Sequence, residues 1–213
     1  MTKFFRLGAA GVALAAALAT VPAHAQLADN EAQAEARAEI LSALTLDLEA
    51  GTLLDFGAVV IQDSAVSATL TMDADGTLDC SDANLVCSGA NDVPVFNISG
   101  GSANATVKVN LPTATSAAPA YIYLAGDNTI TDDTQRLEIY DFTSDATLNA
   151  ATTVDILDAY NNVIGTTPVA AYYSVDLDAL GENSFTVGAT LAFDGDEVPG
   201  VYSDNFTVSV EYQ

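Results

Sequence analysis

The last fourteen residues are the strongest constraint on what this chain can fold into. In Gly200-Val-Tyr-Ser-Asp-Asn-Phe-Thr-Val-Ser-Val-Glu-Tyr-Gln213, Tyr202, Asp204, Phe206, Val208, Val210 and Tyr212 point one way. Ser203, Asn205, Thr207, Ser209 and Glu211 point the other. Alternation with a period of two marks a half-buried strand. A strand of this kind at a chain end has to be paired, either inside its own sheet or with another protein. The same question arises near the N-terminus. There Ala34, Ala36, Ala38, Ile40, Ser42, Leu44, Leu46 and Leu48 alternate with Glu35, Arg37, Glu39, Thr45, Asp47 and Glu49. The segment is also rich in Ala, Glu and Leu, which favour helix. The period-two apolar set argues for an extended strand over residues 34–48, and a short helix within 32–46 is the alternative.

The first residues read as an address. Lys3 and Arg6 precede the apolar run Leu7–Ala19, and Pro22 and Ala23-His24-Ala25 follow. This is the layout of a secretory signal peptide over residues 1–25, cleaved after Ala25. The run is too short for a comfortable membrane span, so no membrane insertion is expected once the signal is removed. His24 is the only histidine and leaves with the signal. The remaining basic residues, Arg37, Lys108 and Arg136, face 29 acidic ones, a net charge of −26. Such a surface repels nucleic acid and anionic lipid. Half the residues are hydrophobic, which is incompatible with a disordered chain. Export makes Cys80 and Cys87 a local disulfide across six residues. Its contribution is on the order of 2–3 kcal/mol in the entropic model.

Short alternating runs follow one another, separated by Gly, Asn, Asp, Ser and Thr. They cover residues 53–61, 66–72, 93–98, 105–111, 121–124, 136–143, 152–157, 168–176, 184–193 and 201–212. Gly57 inside the first marks a bulge or a close approach. A short helix is conceivable only within 32–46 and 174–180. Many short strands with regular turns predict an all-β, antiparallel sandwich. The expected layout is a signal peptide (1–25), an N-terminal extension (26–50) and a β-sandwich domain (51–213).

The catalytic inventory is sparse. Without a histidine in the mature chain, neither a Ser-His-Asp triad nor an ordinary zinc site can be assembled. No glycine-rich phosphate loop with a lysine occurs. Carboxylate pairs are abundant, but 29 acids make chance pairs certain. Asp73-Ala-Asp-Gly76, with Asp79 and Asp82 nearby, and Asp194-Gly-Asp-Glu197 carry hard oxygen ligands near turns. Neither fits the twelve-residue calcium loop, so they read as turn residues. Asn97, Asn104 and Asn205 head glycosylation triplets of the kind that arise by chance in Ser/Thr-rich chains. No catalytic residue, cofactor or metal is expected, and no enzymatic activity.

Three pieces together carry a resemblance: Leu54-Asp55-Phe56-Gly57 after the N-terminal alternation, the small cysteine loop, and the C-terminal run from Gly200 to Gln213. The chain resembles the bacterial domain-of-unknown-function family 4402 and is similar to the spore-coat-protein-U-like, archaic chaperone–usher pilins. Pilins of that pathway end with a glycine fourteen residues from the C-terminus and a penultimate tyrosine, and Gly200 and Tyr212 stand at those places. The resemblance implies an incomplete immunoglobulin-like, pilin-like sandwich, completed by the N-terminal strand of the next subunit through β-strand addition. Ala36, Ala38, Ile40, Leu44 and Leu46 are then the candidate donor strand. Gly200, Tyr202, Phe206, Val208, Val210 and Tyr212 form the candidate acceptor. The partners so implied are further copies of the chain or a periplasmic chaperone and usher, at the periplasm, cell surface or outside the cell. The alternative is a self-contained secreted sandwich that binds a ligand, with or without cations, and catalyses nothing.

Intact mass of the secreted protein should correspond to a chain starting at Gln26 with Cys80 and Cys87 oxidised. A retained Met1, or two thiols alkylated without reductant, contradicts this expectation.

Overall fold

Asn183–Phe193 alternates buried and less buried positions over eleven residues, and the remaining strands assemble around it. In the computed structural model, residues 38–213 are described, and Ile40–Gln213 form one compact unit. In chain order the strands are β1 (Thr45–Leu48), β2 (Ala58–Ile61), β3 (Ala68–Met72), β4 (Leu78–Asp79), β5 (Leu85–Ser88), β6 (Val95–Ser99), β7 (Thr106–Asn110) and β8 (Ala120–Leu124). They continue with β9 (Arg136–Ser144), β10 (Thr147–Asn149), β11 (Thr152–Leu157), β12 (Val163–Val169), β13 (Tyr172–Asp176), β14 (Asn183–Phe193), β15 (Tyr202–Ser203) and β16 (Ser209–Tyr212). Among the described residues the only helical element is one 3-10 turn, Asp133–Gln135, ahead of β9.

The chain is an antiparallel β-sandwich. The larger sheet runs β1-β6-β14-β9-β8-β15, with β3 also on β14 and β4 beyond it; the smaller runs β10-β13-β7-β16. β14 is long enough to hold two strands end to end on one side. Its first half pairs with β6 and its second half with β3, while β9 lies along the other side. Its inward side chains, Phe185, Val187, Ala189, Leu191 and Phe193, are all buried. They join Leu70 and Met72 of β3, Val107 and Val109 of β7 and Val175 of β13 in one apolar cluster. Phe185 also stacks on its cross-strand neighbour Phe96, with ring centroids 5.4 Å apart. Burial of that apolar area is the main stabilising term, at roughly 25 cal/mol per Å².

Two smaller sheets complete the molecule, β2-β5 and β11-β12. Cys80 and Cys87 are bonded, with Cα atoms 6.2 Å apart. Within the loop they close, Asn84 is buried; its side chain accepts from the Asp63 N–H and donates to the Asp63 and Val66 carbonyls. The loop therefore fastens the segment after β2. Gly57 has φ +71°, and a Cβ there would meet the Ser88 carbonyl oxygen at 2.8 Å, so glycine marks a close approach.

Several expectations change. The extended strand over 34–48 is confined to Thr45–Leu48 among the described residues, because only there does β6 supply a pairing edge. Residues 174–180 form no helix; β13 ends at Asp176 and a turn follows. The run at 168–176 is divided between β12 and β13, and β5 begins inside the cysteine loop and runs through Cys87, where only a loop was expected.

Phe185→Ala should lower the unfolding free energy by about 3–5 kcal/mol, whereas Leu180→Ala, at an exposed turn, should change it by less than about 0.5 kcal/mol. Urea titration of both variants checks the contrast.

Candidate functional site

The C-terminal run does not form one strand. It begins against β8: a Cβ on Gly200 would lie 2.2 Å from Leu124 Cδ1, so any other residue there requires the Leu124 side chain to move. β15 then pairs with the end of β8, Tyr202 facing Leu124, and the Ala125 N–H donates to the Val201 carbonyl at 2.7 Å. The Tyr202 hydroxyl donates to the Val198 carbonyl at 2.6 Å. Burial, with Glu197 nearby, pushes its pKa upward.

Past Ser203 the chain leaves the larger sheet, and from Ser209 it pairs as β16 on the edge of the smaller one. Between them, Asp204–Val208 makes no backbone–backbone hydrogen bond among the described residues. Its side chains still alternate. Phe206 and Val208 are half-buried against the core, and Asn205 and Thr207 are exposed. Asp204, grouped with the inward residues by periodicity, is exposed. Phe206 packs against Phe142, centroids 5.2 Å apart, and edge-on to Phe96 at 6.4 Å. Beside it is an open pocket of about 300 Å³ lined by Pro112, Ala120, Ile122, Ile139, Phe142 and residues 204–207. Ala120–Ile122 pair with β9 on one side; β15 covers only Tyr123 and Leu124 on the other. An unpaired backbone, an uncovered strand edge and an apolar pocket thus meet at one place.

Val210 and Tyr212 of β16 also pack on the core, as expected. The Tyr212 hydroxyl accepts from the Ser102 N–H at 2.8 Å and donates to the Ser42 carbonyl at 2.9 Å. The Ser42 N–H in turn donates to Ser102 Oγ at 2.9 Å. This three-residue tie holds the last strand to the segment entering β1. Of the candidate donor residues, Leu44 and Leu46 pack on the chain's own core, and β1 pairs with β6 of the same sheet. Ala38 and Ile40 are exposed and lie in no strand, Ile40 at 96%. Ala36 lies outside the described residues.

The carboxylates serve turns. Asp75, Asp127, Asp132 and Asp158 each accept the N–H two residues on. Their pKa values are held below the ordinary carboxylate range chiefly by the Thr77 N–H for Asp75, the Thr129 and Thr134 hydroxyls for Asp127 and Asp132, and the Asn162 N–H for Asp158. Glu197 caps its own turn by accepting from the Asp194 and Gly195 N–H groups. Among the described residues no three His, Cys, Asp or Glu side chains are grouped to hold a metal. No helix among them is long and apolar enough to cross a membrane.

The pairing of Tyr212 with Ser42 and Ser102, and the lining residues Pro112, Ala120 and Ile122, had no signal in the sequence. These contacts span about 110 to 170 positions along the chain for Tyr212, and periodicity reports only neighbours.

The class defined by this architecture is an antiparallel sandwich whose C-terminal run passes from the larger sheet to the smaller. The sequence profile described as "Domain of unknown function (DUF4402)" matches residues 46–212, and the chain belongs to that family. No curated protein matches the chain. The matched span begins within β1 and ends at Tyr212, so it takes in both partners of the intramolecular β1–β6 pair and the whole C-terminal path.

Tyr212→Phe removes the hydroxyl from both hydrogen bonds and should cost about 1–2 kcal/mol. Residues before Thr45 should become more sensitive to protease. Unchanged proteolysis would show that Ser42 is held by other contacts.

Proposed function

We propose that this protein is a secreted, non-catalytic surface subunit of pilin-like design, which takes up an extended strand at its C-terminal groove. The observation that carries this reading is the stretch Asp204–Val208: alternating in burial, apolar on the inner side, without backbone partners among the described residues, and next to an edge of β8 that no described strand covers. Backbone groups in that state are satisfied by water or by an added strand, and the alternating pockets along it would choose the side chains. The signal layout and the disulfide support export. The lack of histidine in the mature chain supports a role without catalysis. The donor would come from the part of the N-terminal segment that precedes Ser42 in a neighbouring copy, including Ala36, Ala38 and Ile40, or from a periplasmic chaperone during export.

A second reading has its own observation. β1 is paired with β6, and Ser42 is tied to Ser102 and Tyr212, so the chain supplies its own N-terminal strand. On that reading the sandwich is self-contained, and the groove takes a ligand.

Ile40→Asp separates the two. With a donor role it should abolish association between copies while leaving the melting temperature unchanged, because Ile40 is exposed. Val208→Asp should destabilise the subunit itself by several kcal/mol. Size-exclusion profiles and thermal melts of both variants are the measurement. A wild type that stays monomeric and is indifferent to Ile40→Asp leaves the self-contained module.

A further inference from the structure

We propose that β11 is a self-pairing edge: it joins β11 of a second copy, antiparallel, about a two-fold axis at Val154, in a weak association strengthened by salt. β11 and β12 prolong β10 and β13 in the same register, Asn149 facing Tyr172 and Thr152 facing Val169, but among the described residues no third strand joins them. The result is a two-stranded ribbon that extends from the edge of the smaller sheet. Every residue of β11 is exposed, and Val154, Ile156, Val163 and Ile164 are between 46% and 65% exposed. A two-stranded ribbon alone is marginal in water, and an apolar edge without Lys or Pro invites another strand.

The ribbon's two edges differ. Pro168 faces Thr153 and has no N–H. A proline is tolerated where its missing donor would have pointed away from the partner strand, so the outer edge of β12 lacks a donor. The same pair then directs Thr153, and with it Asp155, outward on β11. Only β11 therefore offers a complete outer edge. With one competent edge on the ribbon, ribbon pairing closes as a symmetric pair and does not by itself grow into a filament.

The register follows from the faces. A two-fold axis keeps each side chain on its own face, so opposed residues must share parity. Centring on Asp155 would set two carboxylates opposite each other, which is destabilising. Centring on Val154 opposes Val154 with itself, Thr152 with Ile156 and Thr153 with Asp155. It uses only the regular part of β11, before the bulge between Ile156 and Leu157. The Thr153–Asp155 pairs exchange the backbone hydrogen bonds, and the Val154 side chains meet across the closely spaced pair.

A lipid surface fits less well. Outward backbone groups of Thr153 and Asp155 would find no partner in hydrocarbon, and Asp155 and Asp158 would be buried as charges. The ribbon contact is small, below roughly 1,200 Å² in total, so a dissociation constant on the order of 0.1–1 mM is expected. Two bodies of the same strongly negative sign repel each other, so screening favours the pair.

Sedimentation velocity of the full secreted chain at about 0.5 mM should show a dimer that increases between about 0.02 M and about 0.3 M salt. Val154→Lys should lower the association constant at least about tenfold, while Leu180→Lys, exposed elsewhere, should leave it unchanged. Val154→Cys should cross-link across the axis under mild oxidation. Thr152→Cys should not, because the two copies of that position lie roughly 13 Å apart in this register. A wild type monomeric at every salt, a dimer indifferent to Val154→Lys, equal loss with Leu180→Lys, or ribbon-dependent binding to zwitterionic vesicles would each overturn the proposal. The Ile40→Asp variant keeps this pairing distinct from the groove: loss of dimer there but not in Val154→Lys assigns association to the N-terminal segment and sinks the ribbon.

Discussion

The sandwich depends on β14 being paired on both sides while its inner face is buried along its length. Phe185, Val187, Ala189, Leu191 and Phe193 fill the centre, and no neighbouring strand could bury its own apolar side chains without them. The demand reaches the backbone. At Gly188 a Cβ would lie 2.1 Å from the Met72 carbonyl oxygen, and the pairing with β9 shifts register between Gly188 and Thr190. The handover from β6 to β3 along one side of β14 occurs in this region. A side chain at position 188 would push away the backbone at the end of β3, from Met72 to Ala74.

The two chain ends are a second constraint, set by hydrogen bonds. β16 has a partner on one side only, and β1 is the opposite edge of the larger sheet from β8 and β15. The tyrosine at 212 spans between them, satisfying the Ser102 N–H and the Ser42 carbonyl with one hydroxyl. This tie is why two functional readings compete at one place. It fixes the chain from Ser42 onward inside its own subunit, but leaves Asp204–Val208 without backbone partners a short distance along the same strand path. The groove and the tie are consistent if the residues that leave the subunit are those before Ser42.

The acidic surplus has a structural use as well as an effect on solubility. Asp55, Asp63, Asp79 and Asp178, like the four aspartates with lowered pKa values, accept an N–H two residues on. These turns lie in the connections between successive strands or at a strand's end. A sandwich with many short strands needs many turns, so part of the negative charge is a by-product of topology. The β11–β12 ribbon uses the same device at its turn, where Asp158 accepts the Tyr160 N–H, but along its two strands Asp155 is the sole ionisable residue.

Much of the fold was legible in the sequence, because strand identity is local. The runs at 105–111, 136–143, 152–157 and 184–193 became β7, β9, β11 and β14 nearly unchanged, since alternation and turn residues act over a few positions. The disulfide was legible from spacing and the export signal. At the candidate site, the alternation of Phe206, Val208, Val210 and Tyr212 was legible, but the exposed Asp204 and the break at 204–208 were not. Periodicity says which side chains go inward and is silent on which edge receives the backbone. That choice was made by tertiary structure: β8 captures residues 202–203, β7 captures 209–212, and the crossing leaves the residues between them unpaired. The N-terminal segment shows the same division. Its apolar period was written in Leu44, Leu46 and Leu48, while the decision to keep Leu44 and Leu46 at home came from the free edge of β6 and the reach of one tyrosine hydroxyl.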